Sequence, residues 1–207
     1  MDKKAAYILE KTERMYRRYG IKSVTMDDVA RELGISKKTL YEYFNDKEDL
    51  IGKLLDQALV QHQNRIKQIE EKNLNAVEEM LELSRMIHHM FVDYNSSMEY
   101  DIHKYYPALF LKLREIRRKS IFNFAYENLK KGKREKLYRK DINTRIIARM
   151  QVFQVENLFD SDLFSIKEIT SAKVFQEFFI YNLQGILSPE GRIFFDKHFQ
   201  KLKTCTG

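Results

Sequence analysis

The chain has 207 residues, of which 43% are hydrophobic and 32% charged, with 7 Gly and 2 Pro. It is long enough to bury a core and too poor in turn-forming residues to suit an all-β fold. Its net charge of +7 is unevenly placed: residues 111–140 hold 12 basic against 3 acidic groups, whereas residues 1–50 hold 11 against 10. Bulk charge therefore does not mark the amino-terminal segment as a nucleic-acid binder, although a basic surface still draws phosphates.

In chain order, Ala5, Ile8, Leu9, Thr12, Met15, Tyr16 and Tyr19 recur at helical steps, and Gly20 stops that amphipathic helix. After a short loop, Thr25 stands where it can cap MDDVAREL, whose Asp27 and Asp28 suit the positive end of a helix. Gly34 closes this two-turn helix. Ser36 can cap KKTLYEYF, and Asp46 can cap a longer helix starting KEDLIGKLL. Longer helices are predicted over 47–70, 74–93, 107–131, 142–159, 167–187 and 189–203, with irregular joints near 95–106, 132–141 and 160–166. Apolar stripes on two faces of 74–93 suit a helix packed between neighbours.

Residues 25–47 are the most informative stretch. Val29, Ala30 and Leu33 supply the inward face of one short helix, and Ile35, Leu40 and Phe44 complete an apolar cluster around the Gly34 corner. This is the physical pattern of a helix-turn-helix. At about 100° per residue from Leu40, Phe44 falls on the core side, while Lys38, Thr39 and Glu42 point away and Tyr41 and Tyr43 flank. Lys37, Lys38 and Thr39 fill the first turn, the part of a recognition helix that reaches base edges. Lys47 opens the next helix, where backbone N–H groups and an ammonium suit a phosphate. Glu42 faces the same way and repels phosphate; it can accept from a cytosine amino group or simply face water.

With Gly20, Val24 and Thr25, followed by DDVARELGISKKTLYEYFNDKEDLI from Asp27 to Ile51, the chain resembles the TetR family of bacterial transcription regulators. The likeness is specific over about the first fifty residues; beyond them it rests on length, helical character and segment order. It implies an all-α fold, with a helix-turn-helix domain over 1–46 and a helical domain over 47–207 for ligand binding and dimerisation. It also implies a homodimer on double-stranded operator DNA, released by a small-molecule effector. Carried over position by position, Thr25, Ser36, Lys37, Lys38, Thr39, Tyr41, Tyr43 and Lys47 fall where the family contacts its operator. Tyr41, Tyr43 and Lys47 mainly grip phosphates there.

Met and aromatic side chains adapt to large apolar ligands. Met86, Met90, Phe91, Tyr94, Tyr105, Tyr106, Phe110, Phe122, Tyr126, Met150 and Phe153 are accordingly the candidate effector lining, with core packing as the competing account. Phe175, Phe178, Phe179, Leu183, Ile186, Ile193, Phe195, Phe199 and Leu202 are expected at a four-helix interface between two subunits, against the alternative that they close the protomer's own core. The basic residues between 112 and 140 read as a solvated face and loop.

No reactive constellation stands out. Glycines form neither G-x-G nor a phosphate loop, no G-x-S-x-G elbow occurs, and the histidines make no H-x-x-x-H pair. The single cysteine, Cys205, excludes an internal disulfide and a thiolate cluster. No catalytic residue, cofactor or metal is expected. The first twenty residues lack a secretory apolar core, and no run of about 18 apolar residues occurs, so a cytoplasmic protein with no membrane partner is expected. A helical protein-docking regulator with weak DNA binding, and a ligand-responsive activator, stand as the alternatives to a repressor.

Overall fold

The computed structural model describes residues 2–92, 96–160, 163–169 and 171–203, and the named elements over that range are all helices. Eleven helices occur among the described residues. They divide into two compact units: residues 1–64 with 95–116, and residues 65–94 with 117–207.

The first unit begins with α1 (Lys3–Tyr19), capped by Asp2 and ended by Gly20 at φ 80°. Its inward face is Ile8, Leu9, Thr12, Met15 and Tyr16. α2 (Met26–Glu32) starts in a full capping box: the Thr25 side chain accepts from the Asp28 N–H at 3.2 Å, and the Asp28 carboxylate accepts the Thr25 N–H at 2.9 Å. Gly34 then takes φ 62° with open space where a Cβ would stand, so the left-handed backbone and not crowding demands glycine there. α3 (Lys37–Tyr43) is capped by Ser36, whose hydroxyl accepts from the Thr39 N–H at 3.0 Å. α4 (Lys47–Glu70) is capped by Asp46, which accepts from the Asp49 N–H at 2.7 Å. The three side-chain caps expected from sequence are all present.

The core of this unit packs Leu40, Val29, Ile21, Leu50, Ile51 and Phe44 at 1% exposure or less. Burying a Leu or Ile side chain to this degree is worth about 1.5–3 kcal/mol. The three amino-terminal helices do not complete that core. The segment 95–106, read from sequence as an irregular joint, contains α6 (Ser96–Tyr105), and its Ile102 is 4% exposed within the same cluster. Met98 of α6 packs against the cluster, as do Tyr106 and, at the start of α7 (Pro107–Arg134), Leu109 and Phe110. The spacing Met98, Ile102, Tyr106 is helical, and Tyr106, which lies between the two helices before Pro107, still donates its N–H to the Ile102 carbonyl at 2.9 Å.

The second unit contains α5 (Ala76–Val92), the rest of α7, α8 (Thr144–Asp160), α9 (Ile166–Ile169), α10 (Ala172–Ile186) and α11 (Pro189–Lys203). The segment expected as one helix over 167–187 is two, because two serines restart the chain. Ser165 and Glu168 form a reciprocal cap for α9, and the Ser171 hydroxyl accepts from the Val174 N–H at 3.3 Å to begin α10. The joint after α7 is built around Gly132, whose carbonyl accepts both the Leu137 and the Tyr138 N–H. A Cβ on Gly132 would lie 2.1 Å from the Tyr138 ring, and one on Gly191 would lie 1.9 Å from the Leu137 carbonyl oxygen. Close approach, not positive φ, fixes these two glycines.

Five side chains expected at a subunit interface, Phe175, Phe179, Leu183, Ile186 and Phe195, are instead buried in this unit's own core, at 9% exposure or less. In α10 they recur at four and three residues, which makes one inward stripe. Phe178 and Phe199 are half-buried and Ile193 is 72% exposed. The side chain of Leu202 lies outside the described residues.

Candidate nucleic-acid interface

α3 is divided sharply by depth. Leu40 is fully buried, while Lys37 and Lys38 are exposed, Tyr41 is 48% exposed, and Thr39 and Tyr43 are half-buried. Ser36 and Thr25, which cap α3 and α2, are exposed as well. The hydroxyl and ammonium tips of the helix-turn-helix therefore reach solvent.

Several of those tips are already engaged within the chain. Lys37 Nζ pairs with Asp27 at 2.6 Å, both side chains being about half exposed, and a pair of that kind is worth at most about 1 kcal/mol, so a phosphate or base edge can replace it. The Ser36 and Thr39 hydroxyls lie 2.9 Å apart. Lys38 has no ion-pair partner among the described residues and is the cation of α3 most available to a ligand. Lys4, at the start of α1, lies 5.8 Å from the Tyr43 ring centroid and adds a cation beside that tyrosine. Burial first, and then the Asp2 carboxylate, push the Tyr43 phenol above its ordinary value.

Behind α3, Lys53 Nζ donates to the Tyr43 carbonyl at 2.9 Å and pairs with Asp49, placing a cation at the carboxyl end of the helix. Asp46 occupies the Asp49 N–H, and Glu48 and Asp49 fill the first turn of α4, so their charges oppose the attraction of the helix end for an anion. What remains for a phosphate is the ammonium of Lys47. It is half-buried and donates to the Lys22 carbonyl at 3.3 Å. Burial pulls its pKa below the ordinary lysine value, and the carboxylates of Asp101 and Asp28 oppose that shift.

Lys53 and Asp101 were not singled out by sequence, and Asp27 was read only for its place at a helix start. Asp27 carried a signal as a first-turn acid, and Lys53 stands four residues after Asp49. Asp101 carried none, because the Lys22 N–H that it accepts lies 79 positions away in the chain.

The expected effector lining is dispersed. Tyr106 and Phe110 pack against the core of the first unit, and Tyr105 lies 5.1 Å from Lys22 Nζ. In the second unit Phe122 and Tyr126 stack at 5.7 Å between centroids, Met86 is half-buried and Met90 is 40% exposed. Met150 and Phe153 lie on the surface of α8, at 49% and 68% exposure. The side chain of Phe91 and the whole of Tyr94 lie outside the described residues.

Much of the basic excess is neutralised within the fold, through Lys112 with Asp56, Arg118 with Glu156, Lys130 with Glu127, Lys131 with Glu79 and Arg139 with Asp141. Among the described residues no helix is long and apolar enough to cross a membrane, and no group of three His, Cys, Asp or Glu is placed to hold a metal ion.

The amino-terminal segment that carries these helices is similar to known proteins. Residues 8–54 match the family described as "Bacterial regulatory proteins, tetR family". YvaF of Bacillus subtilis (strain 168), described as an uncharacterized HTH-type transcriptional regulator, is 25% identical over 191 residues, which span 92% of this chain and 97% of YvaF. Among solved structures, a transcriptional regulator from Cytophaga hutchinsonii matches with a TM-score of 0.76 at 17% identity, covering 90% of this chain and 100% of that one. A TetR-family regulator from Streptomyces coelicolor matches with a TM-score of 0.65 at 20% identity, covering 87% and 92%. At those identities the structures speak for the fold alone.

Proposed function

Since the chain belongs to the TetR family of helix-turn-helix transcriptional regulators, DNA-binding proteins and not enzymes, we propose that it is a repressor, a homodimer that leaves a palindromic operator when a small molecule binds. The observation that carries this reading is the division of α3, with Leu40 sealed inside and the ammonium, hydroxyl and phenol groups outside.

In this reading two copies of α3 enter successive major grooves about 34–36 Å apart. Lys37, Lys38 and Thr39 meet base edges. Tyr41, Tyr43 and Lys47 meet phosphates, with Thr25 and Ser36 at the same strand. One head alone neutralises few phosphates, and pairing two heads supplies the firm, salt-dependent binding that an operator needs. The exposed apolar groups on the last two helices, Tyr181 at 76% and Ile193 at 72%, together with half-buried Phe178 and Phe199, support dimerisation there. The buried Phe175, Phe179, Leu183, Ile186 and Phe195 brace that surface from behind.

For the effector, the stacked Phe122 and Tyr126 with Met86 and Met90 support an apolar or aromatic compound. By linkage, the effector weakens DNA binding by the factor by which DNA weakens effector binding, commonly about 1–3 kcal/mol. The test is to recover genomic fragments on the purified protein, footprint them, and transcribe from the adjacent promoter in vitro. Two protected half-sites and reduced transcript are expected. Raised transcript would contradict repression, and a single protected half-site would contradict the dimer.

A further inference from the structure

α6 meets the helix-turn-helix unit through a polar contact that the DNA reading leaves unexplained. Asp101 and Tyr105 stand four residues apart, hence on one face of α6, and both reach Lys22 in the turn between α1 and α2. Asp101 Oδ2 accepts the backbone N–H of Lys22 at 2.9 Å. The Lys22 ammonium lies 5.1 Å from the Tyr105 ring centroid, and a hydrogen bond from Lys22 lowers the Tyr105 phenol below its ordinary value. The carbonyl of Lys22 accepts Lys47 Nζ at 3.3 Å. The main chain of one turn residue is thus held from one side by α6 and from the other by the first residue of α4. Gly20, two residues earlier, also borders this carboxylate: a Cβ there would lie 3.4 Å from Asp101 Oδ2.

The half-buried carboxylate of Asp101 has two effects of opposite sign on DNA binding. Its hydrogen bond fixes the turn from which the Lys47 ammonium is aimed. Its negative charge acts on that ammonium, together with Asp28, and competes with any phosphate for it. We infer that Asp101 is a positioning residue for DNA binding, which holds the Lys22 turn through its hydrogen bond while its charge restrains Lys47 from the DNA backbone. The inference rests on the reading of Lys47 as a phosphate contact.

The two effects separate by substitution. Asp101→Asn keeps a side-chain oxygen to accept the Lys22 N–H and removes the charge. Asp101→Ala removes both. Binding is measured by fluorescence anisotropy on the full-length protein, with a duplex enriched from a random pool on the wild-type chain, across a series of salt concentrations. Asp101→Asn is expected to tighten binding about two- to fivefold at low salt, with the gain fading as salt screens the charge. Asp101→Ala is expected to weaken binding by about tenfold, because the N–H of the turn loses its partner.

A residue that mattered only to folding would be damaged by both changes, so opposite directions are the signature. In a Lys47→Ala background the gain from Asp101→Asn should vanish, because the group it liberates is gone. Weaker binding on Asp101→Asn, or an equal gain without Lys47, overturns the inference and leaves Lys47 as a phosphate contact. Unchanged affinity on Lys47→Ala alone overturns the reading beneath it, and the inference with it. Thermal unfolding followed by circular dichroism checks that Asp101→Asn retains the fold.

Discussion

The two compact units differ in what they bury. In the first, the buried polar side chain among the described residues is Thr12, and the rest of the core is aliphatic, aromatic or methionine. In the second, Glu79, Asn128, Glu156 and Ser188 are buried as well. Asn128 donates to the Ala76 carbonyl and to Glu79, while the Tyr138 hydroxyl lies 3.0 Å from the Ala76 carbonyl and 2.8 Å from Asn128 Oδ1 and shares its one proton between these two acceptors. Lys131 pairs with Glu79 at 2.6 Å. The helix-turn-helix unit keeps its charged groups out of its core, where a ligand can use them; the second unit uses several of its own polar groups to lock a corner. Side-chain caps start the helices of the first unit, and the second adds close backbone approach at Gly132 and Gly191.

Gly191→Ala should break this contrast hardest, because its Cβ would stand 1.9 Å from a backbone oxygen. A loss of about 4 kcal/mol or more is expected, with the unfolding transition of the second unit lowered. Chemical denaturation followed by circular dichroism reads it. Leu40→Ala is the matching change in the first unit, where a fully buried side chain leaves a cavity. It should cost about 3 kcal/mol and remove DNA binding along with folded structure. Tyr138→Phe deletes a buried hydroxyl whose one proton Asn128 Oδ1 and the Ala76 carbonyl share, while the Ala76 carbonyl keeps the amide of Asn128. About 2 kcal/mol is expected in a urea titration, with DNA affinity unchanged.

Thr25→Ala is the mildest, costing about 1 kcal/mol through the lost cap. It also carries a pH signature. A hydrogen bond from the Thr25 hydroxyl, and then one from its N–H, hold the Asp28 carboxyl below the ordinary aspartate range. The folded value is depressed, so the stabilisation is full above about pH 4 and is lost as pH falls through the lowered value. The difference between wild type and Thr25→Ala should therefore narrow on acidification, as read by thermal melts at a series of pH values.

The helix-turn-helix was legible because its signals are local. Thr25, Ser36 and Asp46 cap the helices they immediately precede, and Gly20 and Gly34 take the positive φ that their positions suggested. The sites that escaped are the non-local ones. α6 has only ten residues and a moderate apolar stripe, and what stabilises it is Ile102 entering a core whose other members lie mostly within the first 54 residues. The phenylalanines of α10 and α11 illustrate a second limit. Periodicity places Phe175, Phe179 and Leu183 on one stripe but is silent on whether the protomer or a partner covers it, and the structure buries that stripe within the second unit. Ser165-x-x-Glu168 was a readable capping signal for α9, and Ser171, the cap of α10, divides the stretch expected as one helix.

The central claim is that the exposed face of α3 binds duplex DNA while its buried face only holds the fold. The most direct measurement is the affinity of Tyr41→Ala for the enriched duplex, taken beside its thermal unfolding. The phenol is 48% exposed, and the account predicts about tenfold weaker binding with the melting temperature unchanged. Affinity that stays at the wild-type level, or that falls only in step with lost helical structure, would contradict it.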